Sequence, residues 1–253
     1  AKFESIAIRE SSICVANSRA TKEDFDSRYN PPPNWDCEVI HWGVDTEMFR
    51  PLDIEKEEEK LNFTEIRKRF GAVSPGSKLI LAVGRLAARK GYSTLIRGFS
   101  ALNEEMPNTK LVIVGRGHLK RRLMRLAKSL GVEEDVRIES SLSFAELAQL
   151  YRSSDLVVYP SFYEGQGLIP LEAMASGVPV VTVDHGPLPE MVDESVGALF
   201  TMGNIESMVS VMREVLKTGR EKGEQGRARV LQKFTYSGNA ESFEKVYIEA
   251  IKR

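Results

Sequence analysis

The sequence predicts an α/β fold with a doubly wound parallel sheet of about six strands and helices on both faces. Three features predict this class. From Gly76 onward, short apolar runs alternate with longer amphipathic segments. The runs are continuous in Val, Ile and Leu, which is typical of parallel strands buried on both faces. The spacing between runs is regular. We expect strands near residues 79–83, 110–114, 136–138, 155–159, 179–183 and 197–200.

The region before the sheet predicts a small strand–helix unit followed by a linker. The apolar run in SSICVANS predicts a strand, and Ser18 is a suitable N-cap for a polar helix in RATKEDFDSRY. Three consecutive prolines, residues 31–33, interrupt the chain. A second short strand is expected in CEVIHWG. The charged segment 53–70 predicts a helix that is exposed to solvent.

Helices are predicted between and after the strands. Those between strands lie in STLIRGFSALNEEM, HLKRRLMRLAKSLG, SFAELAQLYRSS and LIPLEAMAS, with a shorter one in HGPLPEMV. Ser143 is the expected N-cap of the third. After the last strand we expect three helices, in IESMVSVMREVLKT, EKGEQGRARVLQKF and SGNAESFEKVYIEAIKR.

Composition excludes several classes of function. Lys plus Arg is 35 and Asp plus Glu is 36, so the net charge of −1 provides no global field for nucleic acid or an anionic membrane. The two cysteines form no zinc-site pattern with histidine and are consistent with a reducing compartment. No apolar run approaches the ~20 residues of a membrane span. Because the sequence begins at Ala1 without Met or a signal-peptide pattern, we expect a fragment of a longer protein.

The segment after the fourth strand predicts an anion site. Parallel sheets bind ligands at the carboxyl ends of their strands, and here a loop with Gly165 and Gly167 leads into a helix N-terminus. Glu164 and Glu172 flank that point. Carboxylates repel phosphate but accept hydrogen bonds from hydroxyls, so the pattern suggests a sugar nucleotide. Glu172 is also consistent with a carboxylate that only stabilises its helix.

The loop after the first strand, GRLAARKG, carries candidate phosphate-binding cations. Arg85 offers a planar fork and Lys90 a point charge, and together they suit a diphosphate. Arg89 is an alternative to Lys90 that spacing does not exclude.

The ends of the second and third strands give weaker indications. Gly115-Arg116-Gly117 lacks the third glycine and the downstream acid of a dinucleotide fingerprint and is more typical of a tight strand-to-helix turn. Ser140, Ser141 and Leu142 mix small polar and apolar groups and suit the edge of a base. His41 and His118 have no partner pattern, and His185 is a candidate base, although a lone histidine in a loop more often has no such role. No Ser-His-Asp or Cys-His arrangement indicates a nucleophile.

Three motifs together resemble one family. EGQGLIPLEAMASGVPVV resembles the glutamate–seven residues–glutamate motif of retaining GT-B-type glycosyltransferases, the glycosyl transferases group 1 family. GRLAARKG resembles the Arg…Lys diphosphate motif of that family, and IHWGVDTEMFRP resembles the segment joining its two domains. The order and spacing of the motifs agree, and the resemblance runs from about residue 12 to the end.

The resemblance implies two facing Rossmann-like domains, of which this chain holds the carboxyl-terminal, donor-binding half. The amino-terminal acceptor domain would be missing except for its last strand and helix. The implied division is residues 1–36 for that piece, 37–75 for the linker and charged helix, 76–235 for the donor domain and 236–253 for a crossing terminal helix.

The resemblance also assigns roles to residues. Arg85 and Lys90 would hold the donor diphosphate, Glu164 the sugar hydroxyls and Glu172 the ribose. Other donor-binding positions are Gly84, Arg116, Ser140, Ser141, Leu142, Gly165, Gln166, Gly167 and Leu168. Transfer would proceed with retention, without a protein nucleophile, a metal or a cofactor, and the nucleotide sugar is a substrate.

The resemblance leaves the donor and the reaction partly open. It implies a UDP- or GDP-linked glucosyl or mannosyl donor, a cytoplasmic location and peripheral association with the inner membrane face through the missing half. A GT-B-type epimerase or hydrolase and a catalytically silent nucleotide-binding module remain alternatives. Gln166 stands where an aromatic residue is common, and HGPLPE replaces the usual paired glycines. Both departures affect either sugar choice or loop conformation.

Overall fold

The structure, a computed structural model, describes residue 6 and residues 10–32, 35–140 and 142–253. Its strands are β1 (Cys14–Ala16), β2 (Cys37–Val39), β3 (Lys78–Val83), β4 (Thr109–Val114), β5 (Val136–Glu139), β6 (Leu156–Tyr159), β7 (Val180–Val183) and β8 (Gly197–Phe200). Its helices are α1 (Arg19–Tyr29), α2 (Glu57–Arg69), α3 (Tyr92–Glu105), α4 (Lys120–Ser129), α5 (Phe144–Arg152), α6 (Leu168–Ala175), α7 (Ile205–Lys233) and α8 (Tyr236–Lys252). Short 3-10 turns span Ala88–Lys90 and Leu188–Glu190.

Strands β3 to β8 form one sheet, which confirms the predicted α/β class. The spatial order is β5-β4-β3-β6-β7-β8, and every pair is parallel. Its central strands are buried as the continuous apolar runs predict, with Leu79 to Leu81 and Leu156 to Val158 fully shielded from solvent. The chain builds outward from β3 in one direction and then resumes at β6 in the other. This reversal opens a crevice at the carboxyl ends of β3 and β6.

The prediction of two separate helices after β8 is wrong, because α7 runs continuously from Ile205 to Lys233. Its glycines serve close packing and do not end a helix. A Cβ on Gly223 would lie 2.1 Å from the carbonyl oxygen of Gly177, which precedes β7. Gly219 and Gly226 similarly pack against Pro179 and Met174. The long helix thereby contacts α3, α6 and β8.

The prediction that segment 53–70 is a solvated helix is wrong in part. Helix α2 packs against α5 and buries Ile66. Arg67 donates to the Asp155 carboxylate over 2.8 Å and to the Ser77 carbonyl over 2.7 Å. An amphipathic pattern this weak does not reveal which face is covered, since charged side chains occupy both.

The N-terminal unit forms a separate two-stranded parallel sheet from β1 and β2. Ser18 caps α1 as predicted, accepting from the Thr21 N–H over 3.0 Å. Helix α8 returns to this unit. Asn239 donates to the His41 carbonyl over 2.8 Å, and Arg253 donates to the Ser12 carbonyl over 3.1 Å. The C-terminal helix is therefore held against the linker and the segment just before β1.

Candidate functional site

The loops that follow β3 and β6 meet at the crevice where the strand order reverses. The Phe162 N–H donates to the Arg89 carbonyl over 2.8 Å and joins the two loops. A Cβ on Gly91 would lie 2.1 Å from the Pro160 carbonyl oxygen, so only glycine permits this approach. The two segments that carry the predicted cations and glutamates are thus adjacent, as the parallel topology requires.

Lys90 is the buried cation of the crevice. The 3-10 turn Ala88–Lys90 directs its side chain inward, leaving the residue 8% exposed. Its Nζ lies 2.8 Å from the Tyr159 hydroxyl and forms a close ion pair with Glu164. The Arg89 side chain is 50% exposed and donates to the Tyr163 carbonyl. Arg89 Nη1 also lies 3.7 Å from the Glu164 carboxylate, so both alternatives after β3 pair with Glu164, and Lys90 is the buried and more closely bound of the two.

Glu164 is an ionised acceptor at the centre of this cluster. Besides Lys90, the Ser161 hydroxyl donates to the same carboxylate oxygen. Burial alone would raise the pKa of Glu164, but the hydrogen bonds from Lys90, Ser161 and Tyr159 outweigh it and hold the pKa below its usual value. A charged carboxylate in this position is well suited to accept hydrogen bonds from hydroxyls.

Arg85 is exposed and has no hydrogen bond or ion pair from its guanidinium to any residue that the structure describes. It follows Gly84 directly at the carboxyl end of β3. The crevice therefore combines one neutralised cation, Lys90, with one whose donors are unused. This combination suits an anion larger than a single carboxylate.

Glu172 is in a different environment from Glu164. The hydroxyl of the fully buried Tyr151 donates to its carboxylate over 2.7 Å. Burial raises the pKa of Glu172, and the Tyr151 hydrogen bond opposes that effect only in part. Glu172 shares no hydrogen bond or ion pair with Glu164, Lys90 or Arg85. The pKa values of the two glutamates are thus shifted in opposite directions, although the sequence motif makes the residues look equivalent.

The loop between β6 and α6 is held by the N-terminal unit and the linker. The Gly165 carbonyl accepts from the hydroxyls of Ser18 and Thr21, over 2.6 and 3.0 Å. Gln166 is 2% exposed, and its amide bonds both the N–H and the carbonyl of Trp42. The Gln166 side chain therefore binds the linker, and the donor-binding role of this position stays a prediction. Gln166 replaces a common aromatic residue, a change expected to affect either sugar choice or loop conformation. Its contacts with Trp42 match the second of these effects.

The N-terminus of α6 adjoins the same loop. Gly167 adopts φ +96°, a conformation that favours glycine, and α6 starts at Leu168 with no side-chain cap. The Leu168 side chain is half-buried against the core. Uncapped N–H groups and the helix dipole favour an anion at this point.

The predicted base-edge residues lie at the ends of β4 and β5. Arg116 donates from Nε to the Ser140 carbonyl over 3.0 Å, and Lys120 donates to the Ser140 hydroxyl over 2.7 Å. Leu142 is half-buried against the core. The prediction for Ser141 concerns a residue outside the described ranges. Arg116 and Ser140 are thus brought together, with Lys120 as a neighbour that sequence reasoning did not name.

Sequence reasoning also missed a clasp formed by Glu190. Its carboxylate accepts from the N–H groups of Arg19 and Ala20, each over 2.9 Å, and lies 2.9 Å from His41 Nε2. Burial would raise the pKa of Glu190, but these hydrogen bonds hold it below its usual value. The clasp joins the loop after β7 to the N-terminus of α1 and to the linker. Its partners lie about 150 residues or more away in sequence, so no local pattern reveals it.

A cleft of about 370 Å³ lies between α1 and the loops after β6 and β7. Asn17, Thr21, Asp24, Glu164 and His185 contribute to its lining. Amide, hydroxyl, carboxylate and imidazole groups converge there, a set that suits a ligand rich in hydroxyls.

Two kinds of feature are absent from the described residues. No helix in the described ranges combines the length and hydrophobicity of a membrane span. Across the same residues, no three His, Cys, Asp or Glu side chains cluster as metal ligands.

The sequence matches known proteins over most of its length. It is 37% identical to an uncharacterised glycosyltransferase of Methanocaldococcus jannaschii, over 78% of this chain and 49% of that protein. It is 30% identical to the D-inositol 3-phosphate glycosyltransferase of Corynebacterium aurimucosum, over 94% of this chain and 57% of that protein. The chain thus spans about half the length of the curated relatives it matches.

The fold matches solved glycosyltransferase structures. Sucrose-phosphate synthase from Thermosynechococcus elongatus superimposes with a TM-score of 0.82 and 22% identity, covering 99% of this chain and 61% of that one. An Anabaena protein solved with UDP and glucose gives a TM-score of 0.83 and 21% identity, covering 96% of this chain and 65% of that one. The fold is therefore one half of a GT-B architecture.

The family model for glycosyl transferases group 1 matches residues 63–229, well over half of the chain. That range contains the loops after β3 and β6 and both glutamates of the predicted motif. On the motifs, the fold and this match, the chain belongs to the glycosyl transferases group 1 family.

Proposed function

We propose that this chain binds a nucleotide-diphosphate sugar and that the whole protein transfers its hexosyl group to an acceptor with retention of configuration. The observation that carries the proposal is the Lys90–Glu164 pair in the crevice between β3 and β6. It places a cation and a hydroxyl-binding carboxylate at one point, beside the unpaired Arg85 and the uncapped N-terminus of α6.

In this proposal the diphosphate lies between Arg85, Lys90 and the first N–H groups of α6. A diphosphate competes with Glu164 for Lys90, so binding exchanges one ion pair for another and leaves Glu164 free for the sugar. The same groups stabilise the negative charge that develops on the departing nucleoside diphosphate. Such preorganised electrostatic stabilisation commonly supplies the largest share of catalysis.

The two glutamates bind different sugars. Glu164 accepts hydrogen bonds from the transferred hexose, which enters the cleft beside it, and Glu172 accepts from the ribose. The backbone of Gly165 to Leu168 contributes donors to sugar and phosphate. The glutamate–seven residues–glutamate spacing supports a retaining reaction, since it resembles the motif of retaining enzymes.

The nucleoside would extend from Gly84 toward the ends of β4 and β5. Arg116, Ser140, Ser141 and Leu142 border the base in this proposal. UDP- or GDP-linked glucose or mannose is the proposed donor. Support comes from the Anabaena neighbour, solved with UDP and glucose, and from a 30% identical relative in Mycolicibacterium hassiacum named as an α-(1→4)-mannosyltransferase.

The acceptor would be bound largely by an amino-terminal domain, as the length of the relatives supports. We propose a cytoplasmic enzyme that meets the inner membrane face through that domain. The isolated chain is expected to bind its donor weakly and to transfer little sugar.

Titration of the chain with UDP-, GDP- and ADP-sugars by calorimetry tests the proposal. We expect one of them to bind, and Arg85→Ala to weaken that binding about tenfold, since charge-assisted hydrogen bonds to phosphate are lost. Arg97→Ala is the matched control, because Arg97 is exposed on α3 away from the crevice. Absence of binding by all three, with Arg85→Ala indistinguishable from the parent, would contradict the proposal.

A further inference from the structure

The first residue of α3, Tyr92, carries a buried hydroxyl that the family motifs do not assign. The residue is 2% exposed, and its hydroxyl has no hydrogen-bond partner among the residues that the structure describes. A buried hydroxyl without a partner costs free energy. Such a group is therefore unusual unless a ligand or a rearrangement satisfies it.

The hydroxyl lies at the carboxyl end of β3, inside the crevice. A Cβ on Gly84 would be 2.8 Å from the Tyr92 oxygen and 4.0 Å from Lys90 Cε. The hydroxyl and the Lys90 side chain therefore share the space above Gly84. Any larger residue at position 84 would press on this hydroxyl, which explains the glycine there in addition to its φ of +139°.

Burial raises the pKa of Tyr92, and the negative charge of Glu164 raises it further. The phenol is therefore neutral and able to donate. The hydroxyl of the neighbouring Tyr159 already has a hydrogen-bond partner, because it lies 2.8 Å from Lys90 Nζ. Tyr92 is the one of this pair with an unused hydroxyl.

We propose that the Tyr92 hydroxyl is a further donor-binding group, which donates a hydrogen bond to an oxygen of the diphosphate held by Lys90. The inference rests on the proposed function and extends it by one residue. In the free chain Lys90 is held by Glu164 and Tyr159, and its stem covers the space above Gly84. A diphosphate that draws Lys90 Nζ toward itself uncovers that space and gives the hydroxyl an acceptor.

A phosphate oxygen fits this position better than a sugar hydroxyl does. The Tyr92 hydroxyl and the Lys90 side chain share the space above Gly84, so an anion that Lys90 holds there can also accept from the phenol. Glu164, the acceptor suited to sugar hydroxyls, is on the loop after β6. The contact should therefore contribute equally to binding of a nucleoside diphosphate and of the intact nucleotide sugar.

The substitution Tyr92→Phe removes the oxygen and keeps the ring. Because the hydroxyl is unsatisfied in the free chain, its removal should leave the melting temperature of the free chain unchanged or higher. Calorimetric titration with UDP and GDP should show about five- to twentyfold weaker binding of whichever the parent binds, as expected for a lost hydrogen bond to a charged group. Tyr247→Phe, on the exposed face of α8, is the control.

The possible results distinguish a wrong assignment of Tyr92 from a wrong proposed function. If the parent binds neither a nucleoside diphosphate nor a nucleotide sugar, both fail. If the parent binds, Arg85→Ala weakens binding and Tyr92→Phe does not, only the Tyr92 assignment is overturned. A lower melting temperature for Tyr92→Phe, with or without weaker binding, would assign the hydroxyl to the fold and overturn the inference as well.

Discussion

At the scale of single residues, the two glutamates of the motif are distinguished by their surroundings. Glu164 is surrounded by donors that lower its pKa, whereas burial beside Tyr151 raises the pKa of Glu172. Sequence spacing predicted that both are in the crevice region but could not predict this contrast. It depends on Lys90, Ser161 and Tyr151, whose contacts only the fold establishes.

The raised pKa of Glu172 predicts a pH dependence of nucleotide binding. To accept hydrogen bonds from ribose hydroxyls, the carboxylate must be ionised. Because the pKa of Glu172 is raised above the usual 4.5, binding should weaken at a higher pH than it would if this pKa were unshifted. The dissociation constant of UDP or GDP measured across the acid range should show this loss in the parent.

Glu172→Gln is the matched control for that pH profile. It keeps an acceptor for the Tyr151 hydroxyl and removes the titrating group. Since a buried carboxylate with a raised pKa destabilises the fold while ionised, the substitution should not lower the melting temperature at neutral pH. Identical pH profiles for the parent and Glu172→Gln would contradict this role of Glu172.

At the scale of elements, glycines place α7 against the sheet. The segment for which the sequence predicts two helices is one continuous helix, although glycine weakens a helix locally. Gly223 approaches the Gly177 carbonyl so closely that no side chain fits between them. Packing distance, and not helix propensity, therefore requires glycine at position 223. In contrast, the Ser143 cap of α5 was predicted correctly, because a capping box is encoded within four consecutive residues.

Gly223→Ala should destabilise the chain although alanine favours helices. Its Cβ would lie 2.1 Å from backbone oxygen, so α7 must shift. We expect a loss of about 2 kcal/mol or more, which corresponds to a fall of about 4–8 °C in melting temperature. Lys217→Ala, at an exposed position of α7, is the control. An unchanged or higher melting temperature for Gly223→Ala would show that α7 does not pack this closely.

The Glu190 clasp is a second device at this scale. Glu190→Ala leaves the Arg19 and Ala20 N–H groups at the start of α1 without an acceptor. Hydrogen exchange at these two amides should accelerate about tenfold or more, because the opening of α1 becomes easier by roughly the energy of such a bond. Glu23→Ala, exposed on α1, should leave both amides protected. Equal exchange in the two variants would rule out the clasp.

At the scale of the whole molecule, local and topological patterns predicted most of the architecture. Apolar runs identified the strands, and the parallel topology brought the loops with Lys90 and Glu164 together. Contacts between distant segments were not predictable: Gln166 with Trp42, and Glu190 with His41, each join residues more than 120 positions apart. These contacts hold the loops after β6 and β7 against the linker and the N-terminal unit, and no periodicity encodes them.

The division of roles in the crevice is the central claim, and nucleoside diphosphate binding tests it most directly. Calorimetry should compare UDP or GDP with the matching nucleotide sugar for the parent, Glu164→Ala and Glu172→Ala. Because Glu164 competes with phosphate for Lys90, Glu164→Ala should bind the nucleoside diphosphate as tightly as the parent or more tightly. It should lose only the additional affinity that the sugar contributes. Glu172→Ala should weaken the binding of both the nucleoside diphosphate and the nucleotide sugar. Equal losses for both ligands in both variants would contradict the account.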